Sequence, residues 1–84
     1  VYVAGKVYTL QSEMKVRIGP GTNYRAKKYS ELTADGKKHD SDKDGALNKG
    51  TRVTCKAYKN VGDEIWMQTP SGWICAKSSK VYIK

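Results

Sequence analysis

The chain has 84 residues, enough for one small domain with a compact core and too few for a second. Eight glycines, six tyrosines and no phenylalanine favour a turn-rich β protein over a helical bundle, and no apolar run is long enough to cross a membrane. Sixteen basic and eight acidic residues give a net charge of +8, which indicates a polyanionic partner such as nucleic acid, anionic lipid or a cell-wall polymer. Because the chain has neither an initiator methionine nor an apolar signal peptide, we expect a domain excised from a longer protein.

The first part of the chain predicts two short strands and a sharp turn. Residues 7–10 are β-branched and aromatic, and residues 14–18 alternate apolar with basic side chains, so the apolar ones are expected to face a core. The second strand ends at the turn sequence GPGTNY, residues 19–24. Residues 25–32 fit either an irregular strand or a helical turn.

The composition changes at residue 33. Residues 33–49 hold few apolar side chains and many charges, and we interpret them as an ordered loop whose inserted part covers about 33–46. A connection of this length in so small a domain usually has a functional or stabilising role. No helix longer than one turn is predicted anywhere in the chain.

Four further short strands are expected in the second half of the chain: residues 51–58, 65–69, 73–76 and 81–83. In the first of these, Val53, Cys55 and Ala57 share one face. Turns are predicted at 60–63 and at the Pro-Ser-Gly sequence 70–72. Closely spaced short strands with turn residues between them predict an all-β fold, a small barrel.

Three blocks in the chain resemble the bacterial Src-homology-3 (SH3b) family: residues 14–26, 47–55 and 65–82. The resemblance covers about two thirds of the chain, and the insertion separates its first two blocks. It implies an SH3-like barrel of five to seven short strands that binds peptidoglycan or another anionic wall polymer and catalyses nothing. It also implies an extracellular place at the cell wall, beside a catalytic domain in the same chain, as in endolysins and autolysins of Gram-positive bacteria and their phages.

Wall recognition requires exposed aromatic side chains and polar groups that fix orientation. The candidates lie in the GPG turn and just after it, and in the last three strands: Asn23, Tyr24, Arg25, Tyr29, Trp66, Trp73 and Tyr82. For the two tryptophans the alternative is that they fill the core of a small barrel.

The inserted loop contains the pattern D-x-D-x-D-G-x-L, which resembles the start of an EF-hand-type calcium loop. The carboxylates of Asp40, Asp42 and Asp44, the carbonyl of Ala46 and a water-bridged Asn48 would then hold a structural calcium ion. The twelfth position is Thr51, where a bidentate acid is expected. The alternative is a solvated acidic turn whose charge is neutralised by neighbouring lysines, and the sequence leaves both open.

Catalytic constellations are missing from the sequence. His39 is the one histidine and lies in the charged loop, and no activating motif surrounds Cys55 or Cys75. The cysteines fit either a disulfide or two reduced, half-buried residues, and their spacing does not suit a zinc site. Three rival functions remain: single-stranded nucleic-acid binding, for which no motif is present, proline-rich peptide binding, and a spacer without a ligand.

Overall fold

The computed structural model describes residues 2–84 and is built mainly from short antiparallel strands. The elements are β1 (Val7–Thr9), β2 (Met14–Lys15), a 3-10 turn (Tyr29–Glu31), α1 (Ala34–Lys38), β3 (Ala46–Leu47), β4 (Arg52–Thr54), β5 (Ala57–Val61), β6 (Glu64–Thr69) and β7 (Gly72–Lys77). No helix among these residues is long and apolar enough to cross a membrane.

The strands form three small sheets. β1 pairs with β4, β2 pairs with β3, and β5, β6 and β7 form an antiparallel meander. Two-residue turns connect the meander strands, and they lie within the predicted turns 60–63 and 70–72. Gly72 begins β7 with φ of +145°, and a Cβ there would lie 2.9 Å from the carbonyl oxygen of Arg17, so only glycine allows this close approach.

Isolated bridges link the sheets to one another. Leu10 pairs with Ile83, Lys77 pairs with Val81, and Arg17 pairs with both Ala26 and Trp73. The predicted all-β class is therefore confirmed in its coarse form, a small β-rich domain. Continuous pairing of the strands does not close a barrel within residues 2–84.

The core lies where the apolar faces of these strands meet. As the alternation predicted, Val16 and Cys55 are fully buried and Val53 is 7% exposed. The core residues come from every sheet and from both ends of the chain: Leu10, Val16, Leu32, Leu47, Val53, Cys55, Met67, Ile74, Ala76 and Ile83.

Ile18, which the alternation of residues 14–18 placed toward the core, and Val81, in the last expected strand, point to solvent. Ile18 is 48% exposed because regular alternation ends there: its amide donates to the Arg25 carbonyl, and the chain turns away at Gly19. Val81 is 42% exposed because residues 81–83 form isolated bridges and not the predicted strand, so no sheet covers it. Similarly, residues 51–58 are not one strand. The strand is interrupted at Cys55 and Lys56, which separate β4 from β5.

The inserted segment contains more regular structure than its composition predicted. Thr33 caps α1 by accepting a hydrogen bond from Gly36 N at 2.9 Å. A Cβ at Gly36 would come within contact distance of Ser71 Oγ, so α1 packs closely on the turn between β6 and β7. β3 closes the segment by pairing with β2. The prediction of a loop over 33–46 is therefore wrong for α1 and β3, since capping and tertiary pairing outweigh the polar composition.

Candidate functional site

A groove of about 310 Å³ runs between β2 and the outer face of β6 and β7. We call it the Trp66–Tyr82 groove. Its lining combines aromatic, acidic and basic side chains: Glu13, Met14, Lys15, Arg17, Thr22, Glu64, Trp66, Cys75, Ser78 and Tyr82. Two of the seven predicted wall-binding residues, Trp66 and Tyr82, therefore lie together here.

Trp66 forms the floor of the groove. It pairs with Cys75 on β7 and points to the face of the sheet opposite Met67, which lies in the core. Only 2% of Trp66 is exposed, and its indole Nε1 donates a hydrogen bond to Glu64 Oε1 at 2.9 Å. The indole is buried outside the main core and is held in one orientation by an acidic side chain. Trp66 is therefore buried, as the core-filling alternative expects, but it lies outside the main core cluster.

Tyr82 forms one wall of the groove and is fixed by several contacts. Its amide donates to the Ala76 carbonyl at 2.8 Å, and its carbonyl accepts from the Gln11 amide at 2.7 Å. The ammonium of Lys80 lies 5.4 Å from the ring centroid. The ring is half-buried, so one part packs on the core and the rest stays available to a ligand.

Charges of both signs line the groove. Partial desolvation and the nearby carboxylates of Asp42 and Asp44 raise the pKa of Glu13. Lys15 lies on β2, and the guanidinium of Arg17 donates to the Tyr24 carbonyl at 3.0 Å. A zwitterionic ligand therefore finds both acidic and basic groups in this groove.

The remaining predicted wall-binding residues lie outside the groove lining. The Tyr24 ring packs over Gly19 and is 45% exposed, beside the exposed Asn23. Arg25 forms a salt bridge of 2.8 Å with Glu31, and this contact lowers the pKa of Glu31 to about 2. Tyr29 and Trp73 are both half-buried.

Sequence reasoning missed Glu13, Lys15, Arg17 and Glu64 as groove residues. A period-2 pattern was enough to place Lys15 and Arg17 on the face opposite Val16, and to place Glu64 on the same face of β6 as Trp66. The contact of β2 with β7 is tertiary, so the sequence did not reveal it.

The acidic loop is held by its own hydrogen bonds. Asp40 is buried, its Oδ2 accepts from Gly45 N at 2.7 Å and its Oδ1 from Asp44 N at 3.3 Å. Asp44 Oδ1 accepts from Ala46 N at 3.0 Å, and Asn48 Oδ1 accepts from Ser41 Oγ at 3.1 Å. Asp40 and Asn48 therefore use their side-chain oxygens within the loop.

An exposed acidic cluster joins two residues of this loop to Glu13. One carboxylate oxygen from each of Glu13, Asp42 and Asp44 lies within 4.8 Å of the others. Hard oxygen ligands suit calcium, so these residues fit a divalent cation better than the predicted set that includes Asp40. Calcium binding stays a prediction, with Glu13 added to its candidate ligands.

The nucleophile candidates and the histidine lie apart. His39 lines a second cavity, of about 250 Å³, between α1, β4 and the turn before β7. Cys75 lines the Trp66–Tyr82 groove, while Cys55 is in the core, and the two cysteines are not bonded. Burial raises the pKa of both thiols, which disfavours the thiolate form.

No family model, curated protein or solved structure matches the chain.

Proposed function

We propose that the chain is a non-catalytic module that binds bacterial peptidoglycan in the Trp66–Tyr82 groove. The observation that carries this proposal is the convergence of a half-buried tyrosine ring and charges of both signs in one groove, whose floor is the buried, oriented indole of Trp66. Aromatic faces pack against sugar rings and peptide backbone, and a few fixed polar groups set orientation.

The peptide portion of peptidoglycan is the part that this groove suits best. Such peptides carry ammonium and carboxylate groups close together. Glu13 can attract the ammonium, and Lys15 and Arg17 can attract the carboxylate. A uniformly anionic ligand would meet repulsion from Glu13 and Glu64 in the same groove.

The absence of catalysis is part of the proposal. A Cys-His mechanism needs the base within hydrogen-bond reach of the thiol. His39 and Cys75 line different cavities, and the raised thiol pKa values work against an activated nucleophile. This arrangement supports a binding role.

We further propose that the three sheets together constitute an SH3-like barrel. The bridges from Leu10 to Ile83 and from Lys77 to Val81 support this, because they connect β1 to β7 through the C-terminal residues. The hydrogen bond from Lys56 N to Gln68 O, 2.8 Å, supports it at the two residues between β4 and β5. Slow hydrogen exchange of the Lys56 and Ile83 amides is the expected result.

The biological setting follows from the same proposal. We place the module in the extracellular space at the cell wall, joined in one chain to a peptidoglycan hydrolase domain. The module supplies affinity for the wall, and the neighbouring domain supplies the reaction. The excess positive charge adds a nonspecific attraction to the anionic wall.

Cosedimentation with purified, insoluble peptidoglycan tests the proposal. Thr22 is exposed and lines the groove, so Thr22→Trp fills the groove without entering the core and is expected to weaken binding at least tenfold. Asn60→Trp is the matched control, because it adds the same ring on the exposed face of β5. Equal binding by both variants, or binding to oligonucleotides and not to peptidoglycan, would overturn the proposal.

A further inference from the structure

Four lysines converge on a shallow depression beside the Trp66–Tyr82 groove. Lys15, Lys27, Lys28 and Lys43 line it together with Tyr29, and its volume is about 620 Å³. We call it the lysine depression. Asp44 is the one acidic side chain in its lining, and Asp44 Oδ1 already accepts from Ala46 N.

These lysines are not neutralised by the fold. Within residues 2–84 the salt bridges join Arg25 to Glu31 and His39 to Asp35, and none includes a lysine. Lys27 Nζ donates to the Ser71 carbonyl at 2.6 Å, so one of the four ammonium groups already has a backbone partner. The other three lysines of the depression are exposed. The depression therefore concentrates unpaired positive charge that a polyanion would neutralise.

We infer that the lysine depression binds a linear phosphodiester polymer that carries no nucleobases, such as a polyol phosphate of the cell wall. Lysine ammonium groups act as point charges toward phosphate oxygens, and several spaced along one surface suit repeated phosphates. Release of the counterions of such a polymer drives association and makes it dependent on salt.

The aromatic content of the depression argues against a nucleic acid. Single-stranded nucleic acids bind on several aromatic rings that stack with successive bases. The lysine depression offers one ring, Tyr29, and the ammonium of Lys37 lies 5.7 Å from its centroid. A polymer without bases needs no stacking surface, so it fits this lining better.

The inference rests on the proposed function and extends it. Lys15 lines both the lysine depression and the Trp66–Tyr82 groove, so the two surfaces are contiguous. One module then contacts the peptide portion of the wall in the groove and a phosphate polymer in the depression. Two linked contacts raise the overall affinity above that of either alone.

Binding of poly(glycerol phosphate) to two variants with equal charge tests the inference. The first is the double variant Lys28→Gln with Lys43→Asn, where asparagine suits the φ of 56° at position 43. The control is Lys6→Gln with Lys56→Gln, since both lysines are exposed and lie outside the groove and the depression. Each pair lowers the net charge by two, from +8 to +6.

The first variant is expected to lose about tenfold in affinity at low salt, with the slope of log affinity against log salt falling by about two. The control is expected to change by less than about threefold. Equal losses in both variants would overturn the inference, as would tighter binding of a single-stranded oligonucleotide with the same number of phosphates. Binding of the unmodified chain to phosphate-free peptidoglycan reports on the groove alone. Loss of that binding would contradict the proposed function, whereas the poly(glycerol phosphate) measurements test the lysine depression.

Discussion

The indole Nε1 of Trp66 donates a hydrogen bond to Glu64 Oε1 at 2.9 Å, two residues earlier on the same face of β6. Both side chains line the Trp66–Tyr82 groove. A buried indole N–H needs an acceptor, so this hydrogen bond stabilises the sheet. It also fixes the orientation of the indole in the proposed ligand site.

Removing that acceptor is expected to destabilise the domain. Glu64→Leu leaves the buried Trp66 N–H without its partner, which costs about 1–3 kcal/mol. Glu64→Gln retains an oxygen acceptor and is expected to cost less than about 1 kcal/mol. Urea unfolding followed by circular dichroism measures both. Equal stability of the two variants would show that the hydrogen bond contributes nothing.

Gly45 is expected to be intolerant of any side chain. It has φ of +90°, and a Cβ there would fall well within 3.0 Å of the Lys27 carbonyl oxygen, which is backbone and cannot move aside cheaply. Gly45→Ala should therefore cost about 3 kcal/mol or more. Gly50 is a matched control, since its φ is +87° and nothing lies within 4 Å of the position that a Cβ would take there. Gly50→Ala should cost only about 1 kcal/mol. Similar denaturation midpoints for Gly45→Ala and Gly50→Ala would contradict the expected clash at Gly45.

The Arg25–Glu31 salt bridge predicts a pH dependence at low pH. The pKa of Glu31 is lowered from 4.5 to about 2, first by the hydrogen bond from Arg25 and then by the Lys28 amide. Because the folded-state pKa is depressed, the stabilisation is present above pH 4.5 and is lost as pH falls toward 2. NMR titration of the Glu31 carboxyl should give a midpoint near 2, and Arg25→Gln should raise it. A midpoint of 4.5 in the unmodified chain would contradict the salt bridge.

Calcium is expected to act through Glu13, Asp42 and Asp44. Partial desolvation and then repulsion from Asp42 and Asp44 raise the pKa of Glu13, so Glu13→Gln should increase the melting temperature in chelator. Calcium should stabilise the unmodified chain and have less effect on that variant. Asp63→Asn is the control, because Asp63 is exposed and outside the cluster. If calorimetry detected no heat of calcium binding and calcium left the melting temperature unchanged, the prediction of a metal site would be wrong.

Local patterns predicted much of the strand structure. Alternation placed Val16, Val53 and Cys55 in the core, and the Pro-Ser-Gly motif marked the turn between β6 and β7. Both predictions rest on residues that are neighbours in the sequence, so neither required knowledge of a tertiary contact.

Features that depend on distant contacts were harder to predict. The sequence contained a helix pattern: Thr33 as N-cap, Asp35 in the first turn, and Lys37 and Lys38 in the last. Gly36 and the polar composition of the segment obscured this pattern. Glu13 joined the acidic cluster only because β2 pairs with β3 next to the loop. Likewise, the groove required β2 to lie against β7, a contact that no local pattern encodes.

Binding of peptidoglycan in the Trp66–Tyr82 groove is tested by titrating the 15N-labelled chain with soluble peptidoglycan fragments. The largest NMR shifts are expected at the Trp66 indole N–H and at the amides of Lys15, Thr22 and Tyr82, which lie in one groove. Tyr58, an exposed tyrosine on β5, should be unaffected. An absence of shifts at saturating fragment, or shifts confined to residues outside the groove, would contradict it.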